Sequence, residues 1–292
     1  MELQPQAESV QAQPVKKSAL LYKLKKNKLT MVGAVILGVI ILAAVFAPVL
    51  TPYNPNMIDA ANKFQGPSWS HWFGTDEVGR DIFTRILYGA RLSLGLGIVA
   101  ILIAAGIGLV IGTISGYFGG MIDQAIMRTM DMVLAFPTLI LAMALAAALG
   151  PSIQNAMIAI ALVKIPVYVR LARSETLSLR ESLFVKSAQT FGIRPFRIIR
   201  KHIMPNSVSP VIIQGTLDVG DAILLIATLG FLGLGAQPPA PEWGAMISIG
   251  WKYLLDFWWY PTFPCLFLFL SAGALNLIGD GVRDVLDPRS SR

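Results

Sequence analysis

Six long apolar runs divide this sequence, and runs of that length leave a chain few ways to fold. They span about residues 29–50, 92–116, 129–149, 152–169, 208–234 and 258–278. A helix of about 20 apolar residues crosses a bilayer core of about 30 Å, and lipid tolerates no unpaired backbone. The sequence therefore predicts an all-α, polytopic membrane protein with six transmembrane helices. Composition agrees: 54% of the 292 residues are hydrophobic and only 14% are charged, against about a quarter charged in soluble domains. The first run follows Lys16, Lys17, Lys23, Lys25, Lys26 and Lys28. That pattern could open a signal peptide, but the run is long enough to span, so a retained helix is expected. The first 15 or so residues are polar and Gln-rich, which predicts disorder.

Charge placement gives an orientation. The net charge is +7, and lysine and arginine concentrate in cytoplasmic segments. The loop at about 170–205 holds Arg170, Arg173, Arg180, Lys186, Arg194, Arg197, Arg200 and Lys201 against Glu175 and Glu181. The loops at about 51–91 and 235–257 are balanced or weakly charged. Both termini and the basic loop are thus expected in the cytoplasm. The division is a cytoplasmic segment 1–28, a six-helix domain 29–280 and a cytoplasmic tail 281–292. Basic residues beside spans, rather than on a soluble face, exclude nucleic acid as a partner.

Within the basic loop, "VKSAQTFGIRPFRIIRKHIMPN" (185–206) is punctuated. Gly192 suits the left-handed cap of one short helix, and Pro195 suits the first turn of the next. Pro205 is expected to close that second helix. A bent helix–turn–helix on the cytoplasmic surface follows. Gly108, Gly112, Gly116 and Gly120 recur every four residues and predict a close helix contact, internal or between subunits. Pro137 and Pro166 are expected to interrupt the backbone ladder of the third and fourth spans.

Charges within spans are expensive and need partners or water. Lys164 and Asp218 sit mid-span at matching depths, and Asp221 shares the face of Asp218. They form either a structural pair or a cavity lining. Asp131 is read as an interfacial carboxylate near Arg128. "GTDEVGRD" (74–81) opens a helix through capping and local ion pairs. His71 is read as surface or interface packing, and Cys265 as a small core hydrophobe. His71 and His202 with one thiol make no metal-ligand cluster.

The 185–206 segment resembles the coupling-helix signature of binding-protein-dependent ABC importers. Lys186, Ser187, Ala188, Gly192 and Pro205 fall on its spacing. Lys186 and Ser187 depart from its Glu-Ala, and His202 and Met204 from its Ile-x-Leu. "GTDEVGRDIFTRILYGARLSL" (74–94), "LGFLGLGAQPPAPEWGAMI" (229–247) and "NLIGDGVRDVLDPR" (276–289) resemble the dipeptide/oligopeptide/nickel importer permeases. "MALAAALGPSIQNAMIAIALVKIPVYVRLAR" is most similar to their D,D-dipeptide (D-alanyl-D-alanine) branch. The resemblance implies a bacterial inner-membrane permease with no cofactor of its own. It also implies a second, related permease, two cytoplasmic ATPases holding ATP and Mg, and an extracytoplasmic binding protein that delivers peptide. Lys186, Ser187, Ala188, Gly192, Arg194 and Pro205 would meet an ATPase. Trp69, Trp72, Asp76, Glu242 and Trp243 would face the binding protein. Lys164, Asp218, Asp221 and Asp131 would be candidates for the translocation path. The sequence contains no Gly-x-x-x-x-Gly-Lys-Ser/Thr loop, so ATP would be hydrolysed by other chains. Nickel chelates, glutathione and opine-like solutes remain alternative substrates. An intramembrane enzyme would need convergent catalytic groups that the spans do not supply. A channel or scaffold would not account for the punctuated loop.

Overall fold

The computed structural model describes residues 27–286. The basic run before Lys28, the Gln-rich start and the tail beyond residue 286 lie outside the described residues. Helix α1 (Lys28–Val45) begins at Asn27, whose side chain accepts the Leu29 and Thr30 N–H groups. A short α2 (Ala47–Leu50) ends it. Then come α3 (Ile82–Phe118), α4 (Gly120–Leu134), α5 (Thr138–Leu149) and α6 (Ile153–Arg180). After α7 (Leu183–Thr190) and α8 (Pro195–Ile198), a π turn (Ile199–Ile203) leads into α9 (Met204–Phe231). The chain closes with α10 (Trp243–Trp251) and α11 (Trp259–Leu286). Among the described residues, five helices are long and apolar enough to span a membrane, or six if one bent pair counts as a span.

That pair is α4 and α5, which meet at 94°. The third span expected over 129–149 is broken at Pro137, where the sequence predicts an interruption. Pro137 has no N–H to donate and disfavours helical backbone at Phe136. It becomes the N-terminal cap of α5 instead. Pro166, by contrast, is carried inside an unbroken α6.

α3, α6, α9 and α11 form the centre, around a core that includes Ile101, Ile160, Tyr168, Val169 and Ile226. The glycine stripe explains the closest seam, between α3 and α6. A Cβ on Gly112 would lie 2.4 Å from the Val169 carbonyl, and one on Gly108 would lie 2.3 Å from Tyr168. Gly116 meets Thr176 in the same way. The stripe is thus an internal packing face. Gly120 does not belong to it, because α3 stops at Gly119, whose φ is +67°.

Residues 51–81 fold onto the starts of α3 and α11. Asp81 caps α3 through Thr84 N (2.7 Å), as the sequence predicts. His71 is buried against Asp81 at 2.9 Å, rather than lying at the surface. Asp76 is also buried; it accepts Arg80 Nε at 2.6 Å and lies 3.6 Å from Arg85 Nε. Arg85 in turn donates to the Pro55 and Pro239 carbonyls, tying the loops before α3 and before α10 to α3. Cys265 is exposed, not a core residue. It lines an apolar groove with Trp251, Leu254, Leu266 and Phe269.

Candidate functional site

Two constructions stand out, one at the basic loop and one in mid-span. At the loop, α7 ends in a Schellman cap. Gly192 sits at φ +71°. Its N–H bonds to Gln189 O at 2.9 Å, and Ile193 N–H bonds to Ala188 O at 3.1 Å. Only a residue free of the Cβ penalty takes that backbone cheaply. Pro195 is the first residue of α8, as expected. The two arms close over a small core of Val185, Ala188, Ile198, Ile199 and Ile203. Lys186, Ser187, Gly192 and Arg194 face outward, while Ala188 is buried. Lys186 pairs with Glu181 at 2.9 Å and holds that carboxyl below its ordinary range. Leu183 and Phe191 are each 85% exposed and Phe196 is 70% exposed. The result is an apolar knob on a cationic elbow.

Pro205 departs from the expectation. It does not close a helix; it stands in the first turn of α9. Its ring would strike the carbonyl four residues back in a regular α-helix. The wider π turn, closed by Met204 N–H to Ile199 O, removes the conflict. Residues 195–231 therefore run as one helix.

In mid-span, Lys164 of α6 lies 3.4 Å from Asp218 and bonds to Asp221, both on α9. Lys164 and Asp218 are largely buried, with side chains 11% and 13% exposed, whereas Asp221 is 54% exposed. Tyr168 donates to Asp218 at 2.8 Å, and Gln214 donates to it at 3.3 Å. These two were not singled out from the sequence. Their spacing carried the signal, since Tyr168 is one turn from Lys164 and Gln214 one turn from Asp218.

Asp131 does not join this cluster. It pairs with Arg170 of α6 at 2.6 Å, not with Arg128. Arg173 grips Asp123 through two bonds of 2.6 and 2.7 Å, a second strut between α4 and α6. Among the described residues, no group of three or more His, Cys, Asp or Glu could hold a metal ion.

The residues expected to face a binding protein divide. Trp69 is 98% exposed and Trp72 is 56% exposed, as a contact surface requires. Asp76, Glu242 and Trp243 are buried, contrary to expectation. Trp243 donates its indole N–H to Ile86 O at 3.1 Å. Glu242 caps α10 through Gly244 N and Ala245 N, both at 2.8 Å. Burial pushes the Glu242 carboxyl up to about 7 from its ordinary 4.5, against the pull of those two amides. The folded protein thus holds this proton more tightly than the unfolded chain. The carboxyl's contribution to stability falls as pH rises from about 4.5 to 7, by roughly 3 kcal/mol in all. Glu242→Gln should flatten the pH dependence of the unfolding midpoint across that window. Parallel wild-type and variant curves would contradict this account.

Long apolar helices packed into one bundle, with a Gly-capped elbow between two of them, define an all-α polytopic membrane protein. The chain belongs to the family of binding-protein-dependent transport system inner membrane components, which it matches over residues 108–292. Residues 19–67 match the N-terminal TM domain of oligopeptide transport permease C. The chain is 51% identical to the probable D,D-dipeptide transport system permease protein DdpC of Escherichia coli, over 93% of this chain and 91% of that protein. It is also 51% identical to the dipeptide transport system permease protein DppC of Alkalihalophilus pseudofirmus, over 91% and 88%. The glutathione transport system permease protein GsiD of Escherichia coli is 42% identical over 91% and 88%.

Proposed function

We propose that this chain is one permease of an ABC importer that moves short peptides, dipeptides foremost, into the cytoplasm. The observation that carries this reading is the elbow. A Gly-capped, Pro-started pair of short helices presents Leu183, Phe191 and Phe196 amid cations. Exposed apolar anchors ringed by charge suit a cleft on a partner protein. That partner is one of two ATPases that hold ATP and Mg. A second, related permease completes the pore, and an extracytoplasmic binding protein meets the outer loops near Trp69 and Trp72. The dipeptide assignment follows from the two 51%-identical relatives. The basic elbow lies in the cytoplasm with segment 1–28 and the tail from 281, and 29–280 forms the membrane domain. Lys164, Asp218 and Asp221 line the path.

Two measurements test this reading. An affinity-tagged chain should co-purify a nucleotide-hydrolysing ATPase, and elbow variants should lose it. In a Cys265→Ser background, cysteines at Lys63 and Lys252, both exposed, should label from outside intact cells. A cysteine at Ser178 should not. The reverse pattern would invert the orientation.

A further inference from the structure

The mid-span cluster is not electrically balanced. One ammonium, Lys164, serves two carboxylates. Asp218 is satisfied three times, by Lys164, Tyr168 and Gln214, and is buried. Asp221 has Lys164 alone among these groups and keeps half of its surface open. The excess negative charge therefore resides on Asp221. This residue lies near the middle of α9, and a half-open carboxylate there cannot face hydrocarbon without a large cost. Leu224, one turn further along the same face, is 40% exposed. Among the described residues nothing covers this face, which leaves it free for water or a ligand.

We infer that Asp221, held in place by Lys164, receives the primary ammonium of the substrate, so that the permease itself reads the free N-terminus of a peptide. This inference rests on the peptide-import reading given above. The chemistry favours that ligand. A compact –NH3+ has three donors and fits a carboxylate whose second oxygen is open. A substrate carboxylate would meet net negative charge and be turned away. Lys164 cannot release Asp221 without exposing a second unpaired anion, so it acts as a positioning residue.

The test uses the full transporter with its partner permease and ATPases. Leu224→Cys is placed in a Cys265→Ser background. Methanethiosulfonates carrying trimethylammonium or sulfonate are then compared. With each rate divided by that reagent's rate with a free thiol in solution, the cationic reagent should react at least roughly tenfold faster, the lower range of electrostatic focusing in a charged cleft. Adding Asp221→Asn should bring the two rates together. No reaction with either reagent would place this face against lipid or a subunit and overturn the inference. So would equal rates with Asp221 present, or a preference that survives Asp221→Asn. In parallel, Asp221→Asn should cut uptake of a free-amino dipeptide about tenfold, and Asp221→Glu should restore uptake. Unchanged uptake in Asp221→Asn overturns the ammonium site alone. Absence of dipeptide uptake by the unsubstituted complex overturns the functional reading and the peptide with it.

Discussion

Replacing Gly192 with valine should leave the protein in the membrane but disconnect it from ATP hydrolysis. The space around Gly192 is open, with nothing within 4 Å of a built Cβ, so the damage is not a clash. It comes from the backbone, because φ is +71°. That left-handed conformation costs an L-residue about 1–2 kcal/mol, and a β-branched one more. The cheaper response is to unwind the cap. Ile193 N–H then loses Ala188 O, and α8 leaves α7 at a new angle. Phe191 and Phe196 no longer project together. Since about 1.4 kcal/mol is a factor of ten in an equilibrium, substrate-stimulated ATP hydrolysis should fall about tenfold or more. Gly192→Asn, which tolerates the left-handed region, should retain most of it. Normal stimulation in Gly192→Val would show that the elbow's bend is dispensable.

Lys164→Met should impair assembly as well as transport. The substitution removes the cation that pairs with Asp218 and Asp221 and leaves both carboxylates within the span. Breaking a buried pair by removing one partner costs about 3–5 kcal/mol. The half-open Asp221 can still reach water, which places the effect toward the lower end. Neutralising Asp218 alongside Lys164 is not sufficient, because Asp221 is still stranded. The triple variant Lys164→Met/Asp218→Asn/Asp221→Asn should restore the amount of protein in the membrane while transport stays defective. Thermal unfolding in detergent and quantitative blotting read the first effect, and uptake reads the second. Full transport by the triple variant would remove the cluster from the path.

The contrast between these sites and the outer loops shows which features sequence reasoning reaches. An apolar run must be a helix in lipid, so the spans are legible. A charge inside a run must find a partner, so Lys164 and Asp218 are legible as a pair. Gly192 and Pro195 are legible because only certain backbones need them. Asp76, Glu242 and Trp243 mislead for the opposite reason. Polar residues in a loop are expected at the surface, yet here they are interior caps and braces, fixed by contacts with Arg80, Arg85, Ser93 and Ile86. Asp76–Arg80 is a local pair, but the contacts that bury Glu242 and Trp243 against Ser93 and Ile86 join positions far apart in the chain and leave no local pattern. The partner of Asp131 is hidden in the same way, because Arg170 approaches from another helix. At Pro137 a break is foreseeable, but its angle is set by how α4 rests on α6. The π turn before Pro205 is likewise invisible to a reading that lets proline only begin or end a helix.

That π turn has a mechanical consequence. Because it accommodates Pro205 without ending the helix, the elbow and Asp221 belong to one rod. At 1.5 Å per residue, Pro195 and Asp221 are separated by about 39 Å along its axis. A tilt of about 5° at the elbow end then displaces the Asp221 end by about 3 Å, comparable with the length of a hydrogen bond. No relay of side chains is needed between the two. A helix this continuous would carry a tilt of α8 directly to the mid-span charges.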